Sequence, residues 1–359
     1  MSAVTPDAGS LAARELPFAT PGGVSRMVNA AIAAPSVHNT QPWRFHRVDD
    51  ATMDLYADLD RLLPVTDPMG RGLGISCGAA LFNLRLATRM TGHDAHVTTL
   101  PDPAGHPDLL ATVHAIPGDP PDQDERLLYD MIPHRRTNRF PFDGRQLPRE
   151  VLVDLVHAAH AEGGTLVLVK GRTARRVLNM IGAAEDTLVA EEPYRAELAR
   201  WTDPVRTFDG VPEHAFGPRP RNGELPMRDF HLGGHDVGYG RHTAAGRHGT
   251  PGADSTRPSA DFEADPHLAA LFTRGDGPCD WLGAGQALQR VLLTATAHGV
   301  AASMFSQPLD LRPAPHRGDQ AGPFGHVQML IRFGYGSPVP RVPRRPVLEV
   351  LDPVEAPRV

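Results

Sequence analysis

CGAALFNLRLATRMTGHDA, residues 77–95, decides the fold, because its pattern returns 207 positions later as AGQALQRVLLTATAHGVAA, residues 284–302. Gly78, Ala80, Leu81, Leu86, Gly92 and Ala95 fall on Gly285, Ala287, Leu288, Leu293, Gly299 and Ala302. Self-similarity at a fixed offset marks a duplicated unit. The first copy reads as a long helix from about Ile75 to Thr91, ended by Gly92, a residue that takes a left-handed helix end without strain. Upstream, Val24, Met27, Val28, Ala31 and Ile32 recur at helical spacing until Pro35 stops them. Within that shorter helix, Val28, Ala30 and Ala31 match Val156, Ala158 and Ala159 at an offset of 128. The two offsets differ by 79, so the second copy carries about 79 extra residues between its short and long helices, within roughly 170–280. Strand-like runs at 52–57, 95–100 and 109–116 complete an alternating α+β order.

The middle of the insertion, residues 208–259, is rich in Gly, Pro, His and Arg and shows almost no apolar periodicity. It reads as a long mobile loop, either an active-site cover or an inert disordered segment.

The bulk numbers narrow the function. With 359 residues, 41% of them hydrophobic, the chain can bury a sizeable core as one large domain or two ordinary ones. A net charge of -6 gives no basic field of the kind that neutralises phosphates along a nucleic acid, so nucleic acid is not an expected partner. Cys77 and Cys279 are the only cysteines, and Lys170 is the only lysine. Neither a disulfide framework nor a thiolate zinc site is indicated. No basic-then-apolar start and no run of 18 apolar residues is present, so neither secretion nor membrane insertion is expected and a cytoplasmic protein is.

Four segments could carry chemistry. In PSVHNTQPWRF, residues 35–45, two prolines fix φ around Ser36, His38, Asn39, Thr40 and Gln41. Their amides can donate and accept along the edge of a flat heterocycle such as an isoalloxazine or a purine, or they can simply form an Asx-type turn. In HRRTNRFPF, residues 134–142, Arg135, Arg136 and Arg139 crowd Thr137 as an anion site would, although a solvated basic loop fits too. Further on, RVPRRPVLEVL supplies Arg341, Arg344 and Arg345. The third segment, GVAASMFSQPLD, reads as a loop whose backbone could approach a ring closely, or as a plain connection. The fourth, with His231, His235, His242 and His248, lacks the helix that would align metal ligands, so no metal is expected. GRGLG at 70–74 does not match a dinucleotide phosphate loop.

Taken together, APSVHNTQPWRF, HRRTNRFPF, the paired long helices and YGSPVPRVPRRPVLEVL resemble the nitroreductase family, specifically its long single-chain, Acg-like FMN-binding branch. The resemblance spans about 24–351. It implies an α+β, nitroreductase-like fold duplicated within one chain as a pseudo-dimer, with antiparallel-rich sheets flanked by long helices. The halves would be 22–132 and 133–351, the second holding an inserted loop at about 208–260. Short-subunit members form intertwined dimers in which each FMN takes its arginine-rich segment from one subunit and its Pro-Ser-Asn segment from the other. Here each motif occurs once, so one complete FMN site and one degenerate site are implied. Arg135, Arg136, Thr137 and Arg139 would hold the phosphate, with Arg345, or Arg344, arriving from the C-terminal arm. Ser36, Asn39 and Gln41 would meet the ring or ribityl chain, and Ser303, Met304, Ser306 and Gln307 would lie over the reactive edge.

No acid–base side chain is obligatory in such a site, because flavin N5 carries the chemistry. The resemblance implies an oxidoreductase passing hydride from NAD(P)H to a small acceptor such as a nitroaromatic or quinone. FMN storage and a natural-product dehydrogenase or oxidase are the alternatives. Fusion already supplies the pseudo-dimer, so a monomer suffices geometrically, and a homodimer is the other state.

Overall fold

Thr20 starts the first helix, α1 (Pro21–Ile32): its hydroxyl accepts from Gly23 N at 3.2 Å, and Pro21 supplies a first-turn residue with fixed φ. The computed structural model describes residues 15–221, 225–230, 258–311 and 322–353. After α1 come β1 (Trp43–Arg47), β2 (Thr52–Ala57), α2 (Arg71–Met90), β3 (His93–Thr99), β4 (Leu109–Pro117) and α3 (Gln123–Met131). The second series runs α4 (Arg149–Ala161), β5 (Thr165–Val169), α5 (Gly171–Ala190), α6 (Glu192–Thr202), β6 (Arg219–Pro220), β7 (Ser259–Ala260), β8 (His267–Thr273) and α7 (Pro278–Ala297). It ends with β9 (Ala301–Phe305), α8 (Gln307–Asp310), β10 (His326–Gly334) and α9 (Val347–Val350).

The two antiparallel sheets have the same order, β1-β2-β4-β3 and β5-β8-β10-β9, each with its long helix between the second and third strands in sequence. The long helices α2 and α7 pack face to face, and the repeated glycines explain how closely. A Cβ on Gly78 would lie 2.2 Å from the Leu282 carbonyl oxygen, and one on Gly285 would lie 2.0 Å from that of Ile75. Ile75 and Leu282 are related by the same offset as the glycines, so the approach is two-fold symmetric. Gly92 (φ 79°) and Gly299 (φ 67°) end the two helices in the left-handed conformation. A buried amide pair seals the seam: Gln289 Nε2 donates to Asn83 Oδ1 at 2.8 Å, and Asn83 Nδ2 donates to Ala30 O at 2.8 Å.

The insertion separates β5 from β8 and is more ordered than its composition suggests. It opens with two helices; α5 buries Ala174, Ile181, Ala184 and Leu188 along one face. Beyond α6, where a loop is expected, Val211, Phe216 and Phe230 are buried in a cluster with Leu188, Tyr194 and Leu198, and Leu225 is buried in a second cluster with Ala174 and Ile181. These anchors are too widely and irregularly spaced to register as a period. Residues 231–257, including His231, His235, His242 and His248, lie outside the described residues. Among the described residues no helix is long and apolar enough to cross a membrane, and no cluster of three His, Cys, Asp or Glu side chains could hold a metal ion.

Candidate functional site

The turn after α1 is strained. His38 (φ 47°), Asn39 (φ 55°) and Gln41 (φ 51°) all take the left-handed conformation, which costs a non-glycine residue roughly 1–2 kcal/mol each. Such strain persists only where neighbours over-determine the backbone. Here Ser36 Oγ accepts from Gln41 N at 3.0 Å. Asn39 Nδ2 donates to Gly210 O at 2.9 Å, and its Oδ1 accepts from Arg344 at 3.0 Å. Gln41 is fully buried: Nε2 donates to Phe208 O at 2.8 Å and Oε1 accepts from Arg345 N at 2.8 Å. The insertion and the C-terminal arm are thus both tied to this one turn.

The arginine-rich segment reaches the turn along the second sheet. Thr137 bridges Ala302 in parallel, and Asn138 N donates to Ala302 O at 2.9 Å, which fixes the segment against β9. Turn and segment together line a pocket of about 600 Å3, the open solvent at its mouth included. Ser36 and Asn39 face it from the turn, Arg135, Arg136, Thr137 and Arg139 from the segment, and Arg341 and Arg344 from the arm. Among the described residues, five arginines therefore line it and no carboxylate does.

Arg135 is only 5% exposed, and its Nε and Nη1 are buried without a hydrogen-bond partner among the described residues; Nη2 reaches Ala33 O at 3.5 Å. Burial, then Arg136 and Arg341, push the Arg135 pKa down to about 10. Burial and Arg228 push Arg139 down to about 10, and burial with Arg135, Arg341 and Arg136 pushes Arg344 down to about 9. Crowded like charges, with two donors of Arg135 unfilled among the described residues, call for an anion.

Gln41 and Arg345 stand behind this cavity instead of lining it. Arg345 pairs with Asp58 at 3.1 Å and donates to Glu349 O at 2.7 Å, so of the two neighbouring arginines on the arm it is Arg344 that faces the cavity. Adjacent residues in an extended arm point to opposite sides.

A second cavity, about 740 Å3 on the same measure, joins the first through Pro35, Ser36, Thr137 and Arg139. Ser303, Met304, Ser306 and Gln307 all line it. The expected loop is not there: Ser303 and Met304 belong to strand β9, paired with Arg332 and Ile331, and Gln307 opens α8. Small residues such as Ala and Ser masked a strand whose neighbour, β10, supplies the bulk. Ile75, Ala79, Leu288 and Met329 give the cavity apolar walls.

The sequence reading missed Met227, Arg228 and Phe230, which complete the second cavity together with His38 of the turn. Arg228 comes from the insertion and is 8% exposed. It pairs with Asp310 at 2.7 Å and donates to Tyr194 OH at 3.0 Å and Ser306 Oγ at 3.1 Å; its Nη1 lies 3.4 Å from His38 Nε2. Burial works against its charge, but Tyr194, Asp310 and Glu185 outweigh burial and raise its pKa. Burial, followed by Arg228 and Arg139, holds His38 well below 6.5, so its imidazole is neutral near pH 7. The only sequence signal for these residues was a pair of apolar side chains, Met227 and Phe230, inside a polar stretch.

No protein-family model matches the chain. It is 32% identical over 337 residues to a Mycobacterium tuberculosis protein named as an NAD(P)H nitroreductase, covering 92% of this chain and 91% of that one. It is 29% identical over 340 residues to the Mycobacterium tuberculosis protein named as NAD(P)H nitroreductase Acg, covering 91% and 94%. A solved nitroreductase with bound FMN from Desulfitobacterium hafniense aligns with 64% of this chain and 98% of its own at 13% identity and a TM-score of 0.34, too distant to bear on function. At 32% identity over nine-tenths of both chains, the chain belongs to the nitroreductase family, with Acg among its relatives.

Proposed function

We propose that the protein is an FMN-dependent oxidoreductase that passes hydride from NAD(P)H to a small acceptor such as a nitroaromatic or quinone. The observation that carries this reading is the joined pair of cavities: among the described residues, five arginines and no carboxylate in one, with two donors of Arg135 unpartnered, opening into a second with apolar walls and a polar rim. A phosphate bearing two negative charges fits the first, and a flat heteroaromatic ring fits the second. The names of the relatives support the same activity.

In this reading Arg135, Arg136, Thr137, Arg139 and Arg344 hold the phosphate. Ser36 and Asn39 meet the ribityl chain, while Gln41 and Arg345 keep the strained turn in place from behind. Ser303, Met304, Ser306 and Gln307 border the ring. Bound there, FMN supplies hydride acceptance and delivery at N5. The apolar walls exclude water from that ring. Arg228 adds a fixed positive charge to the cavity wall, where it favours negative charge on whatever the cavity holds. The halves that build the site are 22–132 and 133–351, with the insertion contributing the far wall.

The test is spectroscopic. Purified protein, loaded with FMN where needed, is expected to show flavin absorbance, to release FMN on denaturation, and to bleach anaerobically with NADPH or NADH. A colourless protein that takes up no FMN, or a flavin that neither donor bleaches, refutes the reading.

One observation favours a second reading, FMN storage with little turnover: Met227, Arg228 and Phe230 of the insertion form one wall of the ring cavity. Arg228→Ala combined with Phe230→Ala removes that wall. On the storage reading nicotinamide oxidation rises sharply in the double variant, and an unchanged rate argues against storage.

A further inference from the structure

His38 has no part in the proposed function, yet its chemistry is narrowly set. It lines the ring cavity, is 6% exposed, and holds a left-handed backbone, φ 47°, that a histidine keeps only under constraint. The Phe230 ring meets it edge to face, with 5.9 Å between centroids and 83° between planes, so the imidazole plane is pinned as well.

Arg228 decides which ring nitrogen carries the proton. His38 Nε2 lies 3.4 Å from Arg228 Nη1. A guanidinium donates and never accepts, so the nitrogen that faces it presents a lone pair. Arg228 cannot swing away: Nη1 also donates to Tyr194 OH at 3.0 Å, and Nη2 donates to Ser306 Oγ at 3.1 Å and Asp310 Oδ2 at 2.7 Å. Burial, with Arg228 and Arg139, keeps the imidazole neutral. A neutral ring with a bare Nε2 holds its proton on Nδ1. Nδ1 has no hydrogen-bond partner among the described residues, and no His38 atom is among the buried side-chain atoms left unpartnered. This N–H therefore opens on the cavity that His38 lines instead of on packed protein. The neighbouring Ser306 hydroxyl is already spent, because it donates to Asp310 Oδ2 at 3.1 Å.

We infer that His38 Nδ1–H is the hydrogen-bond donor to the electron acceptor, gripping the oxygen of a quinone carbonyl or a nitro group, and that Arg228 is the positioning residue that fixes this tautomer. The inference rests on the reading of the ring cavity as the place where hydride reaches the acceptor. Hydride originating from NAD(P)H leaves one negative charge on the acceptor, held on oxygen until a proton from water neutralises it. A fixed N–H aimed at that oxygen strengthens its bond as the charge develops. An imidazole of depressed pKa makes that bond and keeps its own proton.

The experiment separates acceptors by whether they offer an oxygen. FMN-loaded protein is reduced anaerobically with NADPH or NADH and mixed in a stopped flow with duroquinone, with nitrofurazone, or with ferricyanide, which takes single electrons and presents no oxygen. His38→Phe keeps a ring against Phe230 and removes the donor. In this variant, reoxidation by duroquinone and nitrofurazone is expected to slow about tenfold or more. Reoxidation by ferricyanide and flavin reduction by the nicotinamide should stay within twofold. The tautomer is read separately by two-bond proton–nitrogen NMR on isotope-labelled, flavin-free wild type. The His38 signals are assigned by their loss in His38→Asn, since asparagine tolerates the left-handed turn. The proton is expected on Nδ1, and Arg228→Gln should yield a mixture of tautomers. Equal slowing toward all three acceptors, or none, overturns the donor role, and a wild-type proton on Nε2 overturns it without any flavin. Wild-type protein that takes up no FMN, or whose flavin neither nicotinamide bleaches, refutes the proposed function and this inference with it. A flavin that bleaches normally, with an unchanged duroquinone-to-ferricyanide ratio in His38→Phe, refutes this inference alone.

Discussion

Replacing Arg135 by leucine should move stability and affinity in opposite directions. Without an anion, Arg135 is a buried cation with two unpartnered donors, and its pKa falls from 12.5 to about 10. At roughly 1.4 kcal/mol per pKa unit, that depression corresponds to about 3 kcal/mol of uncompensated charge burial. Buried ions replaced by apolar side chains of similar size commonly gain about 1–4 kcal/mol. Leucine is shorter than arginine and leaves some volume unfilled, so we expect flavin-free Arg135→Leu to gain about 1–2 kcal/mol. Flavin binding loses the charge-assisted bonds, worth about 1.5–3 kcal/mol each, so the FMN dissociation constant should rise roughly 10- to 100-fold. Urea unfolding of flavin-free protein gives the first quantity and fluorescence titration the second. A variant that is less stable without flavin and yet binds FMN with wild-type affinity would refute the argument, because Arg135 would then be a structural cation whose partner is something other than the ligand.

Three further expectations follow from the geometry. Gly285→Ala gains about 1 kcal/mol of helix propensity but sets a methyl 2.0 Å from the Ile75 carbonyl, so overpacking of about 1–3 kcal/mol or more should dominate; a variant as stable as the wild type in urea would show that α2 and α7 can part freely. Arg344→Met should weaken FMN binding at least about tenfold and also cost roughly 1–3 kcal/mol of flavin-free stability, because its guanidinium bonds Asn39 Oδ1 and the Ile32 and Ala34 carbonyls, whereas Arg345→Met leaves Asp58 with Arg61 as its remaining partner and should cost a similar roughly 1–3 kcal/mol of stability with a smaller loss of FMN affinity; equal effects of the two on FMN would contradict the opposed facing of these neighbours. For His38, the folded imidazole stays neutral well below 6.5 under the influence of burial, Arg228 and Arg139, while the unfolded one titrates near 6.5. The unfolded state therefore binds more protons below that value: stability from this group is complete above about pH 6.5 and is lost as pH falls, and His38→Gln should flatten that slope between pH 6.5 and 5. An identical slope in the variant removes His38 from the account.

Much of this was written into local sequence. The 207-residue offset joins Gly78 to Gly285 and Gly92 to Gly299, and a glycine marks a backbone need that the chain cannot meet otherwise, so close helix approach and left-handed helix ends are legible before folding. The arginine cluster around Thr137 and the polar turn between Pro35 and Pro42 were likewise visible as candidate ligand groups, since their chemistry is set by residue type. The strand-like run at 52–57 coincides with β2, the helix read from about Ile75 to Thr91 overlaps α2, and the 207-residue offset carries that helix onto α7.

Tertiary structure alone decided the rest. Nothing local distinguishes Arg344 from Arg345; one faces the cavity and the other Asp58 because the arm is extended and the partner lies nearly 290 residues away in sequence. Arg228 and His38 meet across 190 residues, and Met227 and Phe230 belong to a stretch without a period, so their place in the cavity wall depends on how the insertion folds back. Whether an unpaired guanidinium is a solvated surface charge or a buried one awaiting an anion is likewise a matter of what packs around it, and packing is non-local.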